Sequence, residues 1–149
     1  MSDRMGGMKL YRSSHSVYKT EYHIVIVTKF RRKILNEGAS EYLRLKLEEV
    51  RKYYPDWYYE AMGMDEDHVH LHMVIPPKYA VSFVIETIKK NTSRAMKEKF
   101  EFIRSMYSNK PGIWSTGYFV STVGVNEETV RRYVRMQGME DTGQAQLEL

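Results

Sequence analysis

The sequence predicts an α+β fold: a ferredoxin-like antiparallel sheet of order β-α-β-β-α-β, with an extra C-terminal helix carrying a tyrosine. Three observations predict it. Runs rich in β-branched and aromatic residues alternate with charged segments whose apolar positions recur at helical spacing. The two middle strand-like runs are separated only by a short acidic turn, as a hairpin requires, and an amphipathic segment follows the fourth run. A chain of 149 residues with 42% apolar content supports one core, and neither an internal repeat nor a linker divides it. Residues 1–138 are therefore read as one domain and residues 139–149 as a flexible C-terminal tail.

Residues 22–30, Tyr-His-Ile-Val-Ile-Val-Thr-Lys-Phe, are apolar on both faces and read as a buried central strand. Over residues 39–54 the positions Tyr42, Leu45, Val50 and Tyr53, with Leu43 and Leu47 beside them, trace a helical stripe that Pro55 ends. Residues 57–62 and 68–75 are two further strands, joined across the acidic turn at 63–67 and closed by Pro76 and Pro77. A long amphipathic helix covers 81–100, with Val84, Ile85, Ile88 and Met96 on its apolar face, and continues, broken, towards Met106. Residues 118–123 form the fourth strand. Asn126 then caps a last helix whose first turn carries Glu127 and Glu128, and Gly138 ends it.

Composition narrows the chemistry. Without cysteine the chain has neither disulfides nor thiolate metal sites, which leaves histidine, carboxylate and amide as ligands. No apolar run approaches the roughly 20 residues that span a bilayer, and the first ten residues lack the apolar core of a signal peptide, so a cytoplasmic protein without a membrane partner is expected. The formal charge is +4 even though residues 140–149 hold three acids and no base. The bases gather at Lys29, Arg31, Arg32 and Lys33, at Lys89, Lys90, Arg94, Lys97 and Lys99, and at Arg131, Arg132 and Arg135. Such clusters favour a polyanion. Lys89, Lys90, Arg94, Arg131, Arg132 and Arg135 are the candidate DNA contacts, and solvated helix faces are the alternative.

In an extended strand His68 and His70 project from one face while Val69 anchors in the core, so two imidazoles stand side by side, able to hold a divalent cation. On a helix, Tyr133 and Gln137 stand one turn apart, a phenolic nucleophile beside an amide oxygen that can serve as a third ligand. That donor set leaves most positions of an octahedral Mg²⁺ or Mn²⁺ to water and phosphate. A phosphodiester needs charge neutralisation and a positioned attacker, and these residues offer both. Asp67 has two readings, a carboxylate that orients a ligand histidine or a turn residue. His23 reads as a hydrogen-bonded core residue and His15 as a surface one. Trp57, Tyr58, Tyr59 and Trp114 are base-stacking candidates or core aromatics.

Two motifs carry a resemblance: Asp67-His68-Val69-His70-Leu71 and Tyr133-Val134-Arg135-Met136-Gln137. Glu21-Tyr22-His23-Ile24-Val25, Thr28-Lys29-Phe30-Arg31-Arg32, Pro76-Pro77-Lys78-Tyr79 and Trp114-Ser115 before Tyr118-Phe119 extend it over residues 18–138. In these the chain resembles the HUH class of single-tyrosine transposases of small bacterial and archaeal insertion sequences, REP-associated relatives included. The resemblance implies a homodimer that binds single-stranded DNA with hairpin ends and cuts it through Tyr133, leaving a 5′-phosphotyrosine and a free 3′-hydroxyl. It also implies a metal held by His68, His70 and Gln137, in sites that can be composite across the dimer. His72 departs from the pattern and puts a third imidazole on the same face, as a spare ligand or a packing residue. The alternatives are a replication or conjugation initiator nickase, a noncatalytic single-stranded nucleic-acid-binding module, and an inactive transposase. A hydrolase of small substrates would leave Tyr133 without a role.

Overall fold

The computed structural model describes residues 2–5 and 8–143. In chain order the elements are β1 (Ser2–Met5), β2 (Met8–Arg12), β3 (Val17–Tyr18), β4 (Glu21–Val27), α1 (Glu37–Val50), β5 (Tyr58–Met64), β6 (His68–Val74), α2 (Val81–Lys99), α3 (Glu101–Met106), β7 (Phe119–Ser121) and α4 (Glu127–Asp141). The main sheet runs β5-β6-β4-β7 with every neighbouring pair antiparallel, which is the ferredoxin-like arrangement that the order of elements demands. Among the described residues no helix is long and apolar enough to cross a membrane.

The sheet has two dissimilar faces. Ile24 and Ile26 of β4 and Val69, Leu71 and Met73 of β6 enter the main core, where α1 brings Leu43 and Leu47 and α2 brings Val84, Ile85, Ile88 and Met96. The opposite face carries Val25 and Val27, which Val134 of α4 covers in a small second cluster. Residues 24–27 are thus buried on both sides, as a central strand should be.

Local chemistry sets the boundaries. Asn36 caps α1 and Asn126 caps α4, their side chains accepting from the Ala39 and Thr129 N–H groups at 2.9 and 2.8 Å. Phe100 takes an extended conformation between α2 and α3, the expected break. β4 ends at Val27 rather than continuing to Phe30, because Phe30 and Arg31 take left-handed φ values of 62° and 53° and turn the chain. β7 is shorter than residues 118–123, since the Ser121 hydroxyl binds the Val123 N–H and carbonyl and draws the chain out of the ladder.

Two expectations are corrected. Gly138 does not end the last helix, which runs on to Asp141. Glycine is needed there for space, because a Cβ would collide with the Arg31 side chain. Residues 139–141 are accordingly anchored helix, and residues 144–149 of the expected tail lie outside the described residues. The small sheet β1-β2-β3 was not expected either. It docks through Tyr11 and Tyr18 against Tyr58 and Val74, and the Tyr11 hydroxyl bonds Glu60.

Leu71 lies between His70 and His72 with its side chain in the main core. Leu71→Ala is expected to lower stability by about 2–5 kcal/mol, measured as a lower urea midpoint with an unchanged m-value.

Candidate active site

The pairing of β4 with β6 sets His23 opposite His72, Val25 opposite His70 and Val27 opposite His68. Directly paired residues share a face, so four imidazoles line the side away from the main core. His68 is held from behind: its Nδ1 meets Asp67 Oδ1 at 2.9 Å, while Arg31 Nε donates to Asp67 Oδ2 at 3.2 Å. The His68 hydrogen bond, joined by Arg31, keeps the Asp67 carboxyl below its ordinary value despite burial. His23 Nδ1 lies 3.4 Å from His70 Nε2 and its ring stacks on His72 at 4.3 Å, while His72 pairs with Glu21 at 3.4 Å. Burial, then the neighbouring imidazoles, lowers the pKa of His70; burial and His72 do the same for His23. Neutral rings with available lone pairs are the form that binds metal.

Tyr133 sits on the same face of the sheet. It packs against Val25, Val27 and Val134, with its ring centroid 5.7 Å from that of Phe119. Its hydroxyl is buried without a hydrogen-bond partner, and burial, with the carboxylates of Glu140 and Asp141, pushes its pKa up to about 12. Gln137 is 5% exposed and donates its amide to the Thr116 carbonyl at 2.7 Å. His68 and His70 open into a cleft of about 360 Å³ whose far wall is Asn126, Glu127 and Val130 of α4. Neither Tyr133 nor Gln137 lines it. The chain thus gathers Asp67, His68 and His70 and brings Tyr133 to their face, while Gln137 is engaged elsewhere.

The basic candidates separate. Lys89 is buried, and its ammonium donates to the Ser115 and Gly117 carbonyls, the first at 2.9 Å. It braces that loop and is removed from the DNA-contact set; burial lowers its pKa. Lys90 and Arg94 are exposed and line a cleft of about 750 Å³ between α2 and the loop at 111–117. Arg131, Arg132 and Arg135 are exposed on α4, Arg131 pairing with Glu127 at 3.7 Å. The aromatic candidates belong to the interior. Trp57 is fully buried, Tyr59 donates to the Leu47 carbonyl, Trp114 donates to the Thr92 hydroxyl, and Tyr58 packs on Tyr11. Sequence pattern alone places His23 in the core and gives Arg31 no role beyond its basic cluster. Only the cross-strand register reveals the first and only the turn at 29–31 the second.

A family model described as "Transposase IS200 like" matches residues 16–137. The chain belongs to the IS200-like transposase family. It is a DNA-processing enzyme, an HUH-type single-tyrosine transposase. It is 29% identical over 136 residues to the transposase for insertion sequence element IS200 of Salmonella typhimurium, covering 91% of this chain and 88% of that one. It is 23% identical over 124 residues to the ISDra2 transposase TnpA of Deinococcus radiodurans, covering 81% and 86%. A crystal structure of a Deinococcus radiodurans R1 protein described as a transposase superposes with a TM-score of 0.73 at 23% identity, over 85% of this chain and 97% of that one. The structure of a REP-associated tyrosine transposase bound to a REP hairpin superposes with a TM-score of 0.53 at 18% identity, over 89% and 72%. At these identities the two superpositions speak for the fold.

The Tyr133 hydroxyl generates a prediction about stability. Tyr133→Phe removes an unpaired buried polar group and is expected to be at least as stable as the parent at pH 8, by up to about 3 kcal/mol. The folded-state pKa lies above the ordinary 10.0, so the stability of the neutral phenol is fully present below pH 10 and is lost as pH rises through about 12. The advantage of the phenylalanine variant therefore widens over that window. Urea unfolding at pH 8, 10 and 11 tests it; a variant clearly less stable at pH 8 would mean that the hydroxyl has a partner.

Proposed function

We propose that this IS200-like transposase cleaves and rejoins single-stranded DNA at insertion-sequence ends, with Tyr133 as the nucleophile. A divalent cation, Mg²⁺ or Mn²⁺, would be held by His68, His70 and Gln137. One observation carries the reading: the histidine pair faces the side of the sheet on which the tyrosine helix packs. The residues fit a cation. Asp67 engages Nδ1 of His68 and leaves Nε2 of that ring with its lone pair, and two imidazoles with an amide suit a hard or borderline ion. Bound there, the ion supplies Lewis-acid neutralisation of phosphate charge.

The remaining steps belong to the chain. The Tyr133 oxygen attacks phosphorus, a new tyrosine O–P bond forms and the P–O3′ bond breaks. The phosphate stays on the 5′ end as phosphotyrosine, and the phenolic proton balances the one the released 3′ oxygen takes up. An aryloxide leaves more readily than an alkoxide, so a DNA 3′-hydroxyl can reverse the step and rejoin the strand. The phenol is protonated where it rests, its pKa pushed up to about 12 by burial, and gives up its proton as the O–P bond forms. Since neither Tyr133 nor Gln137 lines the cleft of its own chain's histidines, we read the site as completed by a second copy in a homodimer. Hairpin-bearing single-stranded DNA is the assigned partner, supported by the REP hairpin in the related complex. Lys90, Arg94, Arg131, Arg132 and Arg135 are the cations assigned to its phosphates.

The test incubates the protein and Mg²⁺ or Mn²⁺ with labelled single-stranded hairpins from the element's flanks, and scores covalent adducts on denaturing gels. A metal-dependent adduct is expected, absent in Tyr133→Phe and reduced at least ~100-fold in His68→Ala. An adduct that persists in Tyr133→Phe would assign the nucleophile elsewhere. Light scattering at micromolar concentration is expected to give a dimer; a clean monomer would refute the composite site.

A further inference from the structure

Arg31 touches both halves of the site. Its Nε donates to one Asp67 oxygen, and the other Asp67 oxygen meets Nδ1 of His68. Its aliphatic stem lies across α4 at Gly138, where an added Cβ would stand 2.8 Å from Arg31 Cγ and closer still to Cδ. The backbone beneath it is unusual, since Phe30 and Arg31 are consecutive non-glycine residues in the left-handed region. The body of the fold holds part of that turn, the Arg31 N–H donating to the Thr28 carbonyl at 2.9 Å and the Tyr107 hydroxyl to the Lys29 carbonyl at 2.8 Å, and α4 holds the rest. The Asp141 carboxylate, 2% exposed, accepts from the Phe30 N–H at 2.8 Å, pairs with Lys29 at 3.3 Å and accepts from the Ser115 hydroxyl.

We propose that Arg31 is a positioning residue that couples docking of the tyrosine helix to the orientation of His68. With α4 seated, Asp141 sustains the left-handed turn and Gly138 admits the stem, so the guanidinium is aimed at Asp67 and Asp67 holds Nδ1–H of His68. When α4 leaves, the turn loses its carboxylate, the stem loses its seat, and the His68 ring is released. Seating rather than charge governs the contact, because the Arg31 side chain is 43% exposed and its attraction for Asp67 is screened. The histidine pair would thus be set in its ligating form by the state of the helix that brings the nucleophile. The coupling concerns the chain alone; only its consequence for metal rests on the function proposed above.

The test is a double-mutant cycle on the metal-free full chain, read by the ¹⁵N shifts of the His68 ring, which distinguish the Nδ1–H from the Nε2–H tautomer. The parent is expected to show mainly Nδ1–H. Gly138→Ala favours the helix itself but displaces the stem, and is expected to shift the tautomer ratio about tenfold towards Nε2–H. In an Arg31→Ala background, where no stem remains to displace, the same change should do nothing further. Arg31→Lys, which keeps the charge and loses the Nε fork, should behave like Arg31→Ala. Equal shifts in both backgrounds, or none in either, would overturn the proposal. Mn²⁺ titrations of the same variants are expected to weaken about tenfold in step with the tautomer shift. Mn²⁺ binding indifferent to His68→Ala would defeat the metal reading, while the tautomer ratios would still decide the coupling.

Discussion

Everything at the site depends on the register between β4 and β6. Val69, Leu71 and Met73 enter the main core, and each buried aliphatic contributes on the order of 1.5–3 kcal/mol, so the histidines between them are carried to the other face. A slip of one residue would bury three imidazoles and expose the aliphatics. The histidines thus owe their place to their neighbours.

The two faces of the sheet are covered by unlike means. α1 and α2 close the main core with a broad set of buried apolar side chains. α4 covers Val25 and Val27 with little more than Val134, Val130 and Tyr133, beside Phe119 of β7, and it is otherwise held by the Gln137 amide on the Thr116 carbonyl, by Asp141 and by the fit of Gly138 over Arg31. A helix attached through a small apolar contact and a few polar ties, at Asp141 and from Gln137 to Thr116, is easier to release than one embedded in a core. That is the property the proposed composite site requires. The orphan Tyr133 hydroxyl agrees with that proposal, since it has no hydrogen-bond partner in this position.

The basic residues show that type alone does not assign a role. Lys89 and Lys90 are adjacent on α2, yet one is sequestered by two loop carbonyls and the other faces solvent. At helical pitch a step of one residue is enough to separate a structural brace from a candidate phosphate contact.

Periodicity and turn chemistry suffice for most of the fold, because both are local. The hairpin, the break at Phe100, the cap at Asn126 and the placing of His68 and His70 on one face all follow from residues a few positions apart. The motifs at 67–71 and 133–137 were legible for the same reason, each lying within a single element. Features that depend on distant segments were not legible. His23 joins the histidine face through pairing with a strand some fifty residues on, Gly138 is a packing glycine because Arg31 crosses it, and Gln137 turns to Thr116 rather than to the histidines. The small sheet of β1, β2 and β3 has no such local signature, because its short strands owe their place to Tyr11 and Tyr18 docking on Tyr58 and Val74. Local pattern decides which residues share a face; only the packing of one element on another decides what that face meets, because contact between distant segments leaves no periodic trace in either.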